Sequence, residues 1–168
     1  MSSFVLIGPP GAGKSTVAKA LSKILQCDFA DSDIEIERRQ MKKISEIFLD
    51  EGEQYFRARE EEVVIELLSS DVPVISLGGG SVMNSKVSDR LEAEKRTVVF
   101  LDVGIAQAAS RVGFNKDRPM LLVNPRQQWL ALMEKRRPAY EKLSDFTVQT
   151  DSMKPAEVAS KIVEMSHA

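Results

Sequence analysis

The stretch from Phe4 to Leu25 constrains the fold of this chain more than any other. A short apolar run, residues 4–7, leads into GPPGAGKS at residues 8–15, which fits the pattern G-x-x-x-x-G-K-[ST] at every position. Apolar residues then recur at helical spacing. A strand, a glycine-rich loop and a helix in this order are typical of a phosphate-binding loop, the P-loop. The sequence therefore predicts a nucleoside triphosphate site.

Each part of the P-loop has an expected role in binding phosphate. The backbone N–H groups point inwards, and the following helix adds the positive end of its dipole. Lys14 is expected to bind the β- and γ-phosphates, and the Ser15 hydroxyl is expected to bind Mg²⁺. The predicted nucleotide contacts on the loop are Gly11, Ala12, Gly13, Lys14, Ser15 and Thr16. The alternative, a glycine-rich turn with an incidental lysine, does not explain the flanking strand and helix.

Length, charge and cysteine content limit the other classes of function. The 168 residues suffice for one domain with its own core, and the net charge of −2 gives no general attraction for nucleic acid. No apolar run approaches the roughly 20 residues of a transmembrane helix, and we expect no signal peptide. Cys27 is the only cysteine, and the only histidine, His167, lies next to the last residue. We expect a cytoplasmic protein without disulfides, histidine-based metal sites, or membrane and nucleic-acid partners.

Strand-like apolar runs alternate with helical patterns along the chain. Strands are predicted at 4–7, 28–30, 74–77, 97–102 and 146–150, and helices after the P-loop and at about 34–40, 45–51, 53–68, 86–94, 105–112 and 127–143. Asp151 or Ser152 can cap a last helix that has Pro155 near its first turn. This alternation is typical of a parallel sheet with helices on both faces, a three-layer α/β/α fold. Residues 113–125 break the pattern, and so long a loop in a compact domain is usually functional or disordered.

Polar residues and glycines follow the predicted strands, where open parallel sheets bind ligands. Asp31 and Asp33 would share a side if their segment is extended. One could hold Mg²⁺ through its water shell, and the other could orient or deprotonate an acceptor hydroxyl. The alternative, a helix N-cap beside a solvated aspartate, is less favoured next to a P-loop. Three glycines, residues 78–80, would let a ligand reach backbone N–H groups directly.

Several arginines are candidates for binding anions. Arg57 and Glu60 lie three residues apart in a predicted helix, and the spacing alone favours an exposed ion pair over a fork that binds a substrate carboxylate. Arg118, in the loop at 113–125, could supply transition-state charge over the phosphates. For Arg118 and Arg136, ordinary surface charge is the alternative. Asn115-Lys116-Asp117 lacks the aspartate that the N-K-x-D pattern of GTPases requires, because Arg118 stands there.

Six motifs together resemble those of the shikimate kinases, a branch of the P-loop nucleoside-monophosphate-kinase-like fold. They are GPPGAGKST at 8–16, DSD at 31–33, FRARE at 56–60, GGG at 78–80, DRP at 117–119 and RRPAY at 136–140. The P-loop alone is common to many families, whereas the other five motifs in this order are specific. The resemblance implies a five-stranded parallel sheet in the order 2-3-1-4-5. It also implies ATP-dependent phosphorylation of the shikimate 3-hydroxyl, on the route to chorismate and the aromatic amino acids.

The resemblance also implies a role for each matching residue. Lys14, Asp33 and Arg118 would be catalytic, and Ser15 and Asp31 would lie at Mg²⁺. The implied substrate residues are Asp33, Phe48, Phe56, Arg57, Glu60, Gly78, Gly79, Gly80 and Arg136, and the residues implied at adenine are Arg111 and Pro155. The neighbouring Arg137 leaves open which of the two arginines contacts substrate. We expect a single monomeric domain over 1–168, with a substrate-binding segment at about 33–60 and a lid at about 113–125.

Two other functions remain open. Another small-molecule kinase, such as a gluconate kinase or a nucleoside monophosphate kinase, would share the P-loop, although Asp31, Asp33 and the three glycines favour shikimate. A regulatory module that binds ATP without catalysis would not need Lys14, Ser15, Asp33 and Arg118 together. Such a module predicts ATP binding without acceptor-dependent release of ADP.

Overall fold

Five strands form one parallel sheet in the computed structural model, which describes residues 2–112 and 124–168. The strands are β1 (Phe4–Ile7), β2 (Phe29–Asp31), β3 (Val74–Ser76), β4 (Thr97–Asp102) and β5 (Phe146–Gln149). Their order across the sheet is β2-β3-β1-β4-β5. In the register, Leu6 lies opposite Ser76 on one side and Val99 on the other. The predicted α/β fold and strand order are confirmed.

The described part of the chain also contains eight α-helices. They are α1 (Lys14–Leu25), α2 (Ser32–Gln40), α3 (Ile44–Glu51), α4 (Glu53–Leu68), α5 (Ser85–Glu92), α6 (Ile105–Val112), α7 (Pro125–Leu143) and α8 (Pro155–Ser166), with a 3₁₀ turn at Ser81–Met83. The predicted bounds of α4, α6 and β4 agree at both ends. None of these helices is long and apolar enough to cross a membrane.

Two helices begin two residues earlier than predicted, each for a local reason. α2 begins at Ser32 because Asp31 accepts the N–H of Ile34 and acts as the N-cap. α7 begins at Pro125, a residue whose fixed φ and missing N–H suit a first helical turn. The last residue of the predicted lid therefore belongs to α7, while residues 113–123 lie outside the described residues.

The main core lies on the sheet. β1 is completely buried, and all of β4 except Thr97 is buried, which agrees with its nearly unbroken apolar pattern. β5 buries only Val148, as expected of an outer strand. Cys27 lies half-buried and packs against the edge of this core. The buried strands place their carboxyl ends at one edge of the sheet, where the site is built.

A second, smaller apolar cluster lies between α2, α3 and α4. Its buried members are Ile36, Ile44, Ile47, Phe56 and Val63, and Phe48, Tyr55 and Leu67 are half-buried around it. This cluster gives most of the predicted substrate-binding segment, about 33–60, a packed base of its own. Phe56 and Val63 of α4 belong to this base, whereas Val64 and Leu68 of the same helix face the main core.

Candidate active site

The P-loop is a tight cradle between β1 and α1. Gly11 has a φ of +87°, and a Cβ there would lie 2.8 Å from the backbone of α6, so only glycine fits. α1 begins at Lys14 and directs its first N–H groups at the loop. Lys14 Nζ donates to the Pro9 carbonyl at 2.9 Å, and Trp129 Nε1 of α7 donates to the Pro10 carbonyl at 2.9 Å. The two prolines therefore serve as anchor points of the loop.

A cavity of about 490 Å³ opens above the P-loop, and we call it the nucleotide cavity. Residues from separate segments meet there at the carboxyl end of the sheet. Its lining includes Gly11, Ala12, Gly13, Lys14, Ser15, Thr16, Asp31, Asp33, Ser76, Arg111 and Pro155. Every predicted nucleotide and metal residue in the described ranges is among them. Inward N–H groups, a helix N-terminus and a lysine favour the phosphates of a nucleotide.

Asp31 and Asp33 reach the nucleotide cavity from a helix start. The condition that both lie on an extended segment is wrong, because β2 ends at Asp31 and α2 begins at Ser32. Asp31 Oδ1 accepts the Ile34 N–H at 3.0 Å, and Asp31 Oδ2 accepts the hydroxyl proton of Ser15. Asp33 lies in the first turn of α2. Asp31 is therefore the N-cap of α2 and also lines the nucleotide cavity, although the sequence had offered a helix cap and a functional role as alternatives.

The oxygen donors in the nucleotide cavity suit Mg²⁺ that arrives with a nucleotide. The described residues include no group of three or more His, Cys, Asp or Glu side chains that could hold a metal by themselves. Ser15 and Asp31 instead place two oxygen donors side by side at the P-loop. Mg²⁺ usually keeps several waters and binds through one or two carboxylates plus substrate phosphates. The residues present therefore fit this ion.

Arg111 of α6 ties the P-loop to the segment before α8. Its guanidinium donates to the carbonyls of Gly11 at 3.2 Å and Ala12 at 3.3 Å. It also donates to the Thr150 hydroxyl at 3.0 Å and the Thr150 carbonyl at 2.8 Å. Pro155, the first residue of α8, lines the same cavity. The two residues predicted to enclose adenine are thus brought together.

A second cavity of about 290 Å³ contains a high density of charge, and we call it the arginine cavity. It is lined by Glu53, Arg57, Glu60, Gly80, Met83, Asn84, Leu132, Lys135 and Arg136. Arg57 Nη1 donates to Glu60 Oε1 at 2.7 Å, and the guanidinium lies 5.2 Å from the Phe56 ring centroid. Spacing alone favoured an exposed pair, but the Glu60 side chain is only 3% exposed. The exposed-pair interpretation is therefore wrong, and an anion could bind here.

Glu60 experiences charges from both cavities. Burial raises the pKa of its carboxyl above the ordinary value, and the Arg57 guanidinium opposes this effect. The Asp33 carboxylate, which faces the nucleotide cavity, raises the pKa further, while Arg136 lowers it. The two cavities are therefore electrostatically connected through one buried carboxyl.

The three glycines after β3 form the junction between the cavities. A Cβ on Gly78 would lie 2.7 Å from both Asp33 Oδ1 and Glu60 Oε2. A Cβ on Gly80 would lie 2.6 Å from Arg57 Nη1. The sequence suggested that these glycines expose N–H groups to a ligand. The structure gives a further reason for them, because the missing side chains let charged groups approach the strand end closely.

Arg136 and Arg137 of α7 face different surroundings. Arg136 is only 6% exposed and lines the arginine cavity. Arg137 donates two hydrogen bonds to the carboxylate of Asp102, at 2.9 and 3.0 Å, and lies 5.6 Å from the Phe100 ring centroid. Arg136 therefore lies at the cavity and Arg137 is bound to β4, and a contact between Arg136 and substrate stays a prediction.

Phe48 and Phe56 do not belong to the residues that line the nucleotide or arginine cavity. Their rings pack on each other, with centroids 4.9 Å apart, in the cluster between α2, α3 and α4. Phe56 supports Arg57 from this position, and the role of both rings as walls of the substrate pocket stays a prediction. The role of Arg118 also stays a prediction, since Arg118 lies outside the described residues.

The residues that line the cavities and that sequence reasoning missed include Ser76, Asn84 and Lys135. Ser76, in the nucleotide cavity, is the last residue of β3, and its position at a strand end was a usable signal. Lys135 and Asn84, in the arginine cavity, gave no such signal. Asn84 reads as an ordinary helix cap, and its side chain does accept the N–H of Val87 at 3.0 Å.

Comparison of the sequence with known proteins gives a consistent result. The family model described as "Shikimate kinase" matches residues 10–167. The chain is 47% identical over 160 residues to the shikimate kinase of Thermobifida fusca, covering 95% of this chain and 92% of that one. It is 43% identical over 161 residues to that of Salinispora arenicola, covering 96% and 95%.

The chain belongs to the shikimate kinase family. The predicted resemblance and activity are confirmed: the enzyme is a kinase that transfers a phosphoryl group from ATP to shikimate, in aromatic amino acid biosynthesis.

Solved structures of family members share this fold over nearly the whole chain. The shikimate kinase of Acinetobacter baumannii in complex with shikimate has a TM-score of 0.95 at 35% identity, covering 99% of this chain and 93% of that one. The Aquifex aeolicus shikimate kinase has a TM-score of 0.83 at 35% identity, covering 98% and 95%. A gluconokinase from Sinorhizobium meliloti has a TM-score of 0.57 at 20% identity, covering 99% and 95%, and shares only the fold.

Proposed function

We propose that the enzyme transfers the γ-phosphoryl group of MgATP to the 3-hydroxyl of shikimate across the glycine junction between its two cavities. ATP occupies the nucleotide cavity, and the shikimate carboxylate binds at the arginine cavity. The observation that carries this proposal is the close approach of Asp33 and Glu60 at Gly78 and of Arg57 at Gly80. The shikimate complex of the Acinetobacter baumannii relative, whose fold is so similar, supports the same ligand here.

The nucleotide end works mainly through fixed positive charge. The P-loop N–H groups and the start of α1 surround the phosphates, and Lys14 exchanges its bond to the Pro9 carbonyl for phosphate oxygens. Arg111 and Pro155 enclose adenine. Ser15 and the waters held by Asp31 bind Mg²⁺, which when bound neutralises phosphate charge.

The acceptor end works through positioning. Arg57 and Arg136 bind the shikimate carboxylate by charge-assisted hydrogen bonds, and Glu60 holds Arg57 in place. The hydroxyl end of shikimate then faces Asp33, which orients the 3-hydroxyl and accepts its proton. Because the transition state of phosphoryl transfer is loose, orientation and charge matter more than the strength of the base.

The remaining features of the proposal come from the sequence and the family resemblance. Residues 1–168 form one domain that acts as a monomer in the cytoplasm, without nucleic-acid partners. A lid at about 113–125 brings Arg118 to the phosphates, excludes water and limits futile hydrolysis of ATP.

The test is release of ADP from MgATP with shikimate, gluconate, AMP and CMP as separate acceptors. We expect turnover with shikimate alone. An Asp33→Asn variant should lose about 100-fold or more of kcat while it still binds ATP. Turnover with another acceptor would overturn the roles of Arg57 and Arg136. Near-normal turnover by Asp33→Asn would remove Asp33 from the catalytic residues.

A further inference from the structure

A buried tyrosine outside the roles assigned above contacts the glycine junction from α7. Tyr140 is 0% exposed, and its hydroxyl donates to the Gly79 carbonyl at 2.6 Å. Its ring stacks on Phe100 of β4 with the centroids 5.1 Å apart. The side chain therefore connects α7 both to the central sheet and to the backbone on which the two cavities meet.

Arg136 meets the same hydroxyl from one helical turn away. The guanidinium interacts with the Tyr140 hydroxyl and acts to lower its pKa. Arg136 Nη1 also lies 3.4 Å from the position that a Cβ on Gly79 would take. A tyrosine hydroxyl has one proton, and this proton is donated to the Gly79 carbonyl. Towards the Arg136 guanidinium, whose charge acts on this hydroxyl, the oxygen therefore has only acceptor capacity left. A neutral acceptor orients the guanidinium without neutralising its charge.

Arg57 and Arg136 differ in the charge of the side chain that holds each of them. Arg57 is held by the carboxylate of Glu60, which offsets part of its positive charge. Tyr140 gives Arg136 a partner that carries no charge, because burial raises the pKa of this tyrosine to about 12. The hydroxyl therefore keeps its proton at neutral pH and keeps donating to the Gly79 carbonyl.

We propose that Tyr140 is a positioning residue, which holds the Arg136 guanidinium and the Gly79 backbone in the arrangement that binds the substrate carboxylate. This inference rests on the proposed role of Arg136 in binding shikimate. It adds a residue from the far end of the RRPAY motif to the site, although Tyr140 lines neither the nucleotide nor the arginine cavity.

The first test is Tyr140→Phe, which keeps the ring and its stacking and removes only the hydroxyl. By calorimetric titration, we expect the Kd for shikimate to rise about five- to twentyfold. The Kd for ATP should change less than about twofold, because the nucleotide contacts stay in place. The control is Ser22→Ala, which removes a buried hydroxyl on α1 that donates to the Lys19 carbonyl at 2.7 Å, and it should leave both constants unchanged. Thermal unfolding of each variant shows that the titrations are made on folded protein.

A double-mutant cycle separates positioning from a merely structural role. If Tyr140 acts through Arg136, Tyr140→Phe should raise the shikimate Kd less than about twofold in an Arg136→Ala background. Two outcomes would overturn the inference, provided that the wild type binds shikimate. One is an equal rise in the shikimate Kd in both backgrounds, and the other is an unchanged shikimate Kd in the Tyr140→Phe single variant. A wild type that does not bind shikimate, or an Arg136→Ala variant that binds it normally, would instead overturn the proposed function.

Discussion

The nucleotide cavity and the arginine cavity meet at the same sheet edge but are built in different ways. The nucleotide cavity takes seven of its lining residues from one continuous stretch, residues 11–17, and much of its polarity is backbone N–H. The arginine cavity takes its charged groups from α4 and α7, which are far apart in the chain. Local backbone geometry sets the first cavity, whereas tertiary packing sets the second. The loss of a side chain that positions others should therefore weaken binding in the arginine cavity more than in the nucleotide cavity.

The largest expected effect tests the nucleotide cavity alone. Lys14→Met removes the mobile charge at the phosphates, and we expect kcat/KM to fall about 10³-fold. The Kd for shikimate should change less than about twofold, since no residue of the arginine cavity moves. Steady-state kinetics and calorimetry measure the two values, with Lys19→Met on the exposed face of α1 as the control. An equal loss of shikimate binding would show that the two cavities are not separable.

The next effect separates the two neighbouring arginines. Arg136→Ala should raise the KM for shikimate by about 30- to 100-fold, because charge-assisted bonds to the carboxylate are lost. Arg137→Ala should change this KM less than about threefold but lower the melting temperature by about 3–8 °C, because the Asp102 carboxylate loses both hydrogen bonds from the guanidinium. Kinetics and thermal unfolding give the two values. The reverse pattern would place Arg137, and not Arg136, at the substrate.

This contrast also explains how much the sequence could predict. The strand pattern and the P-loop are local features, so β1, β4 and residues 11–16 followed from periodicity and spacing. Arg57 and Glu60 are different, because spacing made them an ordinary surface pair. Nothing local shows that the second cluster and the glycine junction bury Glu60. The family resemblance implied a substrate role for this pair, since it compares the whole pattern and not one helix, but it did not imply the burial of Glu60.

The aspartates and the glycines show a subtler limit. Asp31 and Asp33 do line the nucleotide cavity, but from a helix start and not from an extended segment, because Asp31 caps α2 through its bond to Ile34. The three glycines were interpreted as a surface for a ligand. Their close contacts are with charged side chains from distant segments, and only the tertiary structure shows such contacts.

About a tenfold effect on the KM for shikimate is expected at Gly80, where the Arg57 guanidinium lies close to the backbone. The Cβ of Gly80→Ala would lie 2.6 Å from Arg57 Nη1, and the flexible guanidinium would move away at little cost to stability. We therefore expect the KM for shikimate to rise about tenfold, with the KM for ATP nearly constant. The matched control is Gly104→Ala, where a Cβ meets Asp151 Oδ1 at an ordinary 3.4 Å. An unchanged KM for shikimate in Gly80→Ala would contradict the role of Arg57.

The smallest expected effect is on stability. It tests whether the buried Glu60 carboxylate of the arginine cavity lowers the stability of the folded protein. Burial raises the pKa of Glu60 above 4.5, so the folded protein binds this proton more tightly than the unfolded chain does. The stability from this group is fully present below pH 4.5 and is lost as the pH rises through the raised pKa. Glu60→Gln carries no charge at any pH. Its melting temperature relative to wild type should therefore increase with pH and reach a gain of about 2–5 °C near neutrality.

Thermal unfolding from pH 4.5 to 8 checks this result, with Glu62→Gln as a control because that side chain on α4 is 62% exposed. A difference from wild type that does not vary with pH would show that Glu60 is not a buried titrating group. The same Glu60→Gln variant should bind shikimate a few-fold more weakly, because a neutral amide holds the Arg57 guanidinium less firmly than a carboxylate does. A variant that is more stable yet binds more weakly would show that Glu60 serves the substrate and not the fold.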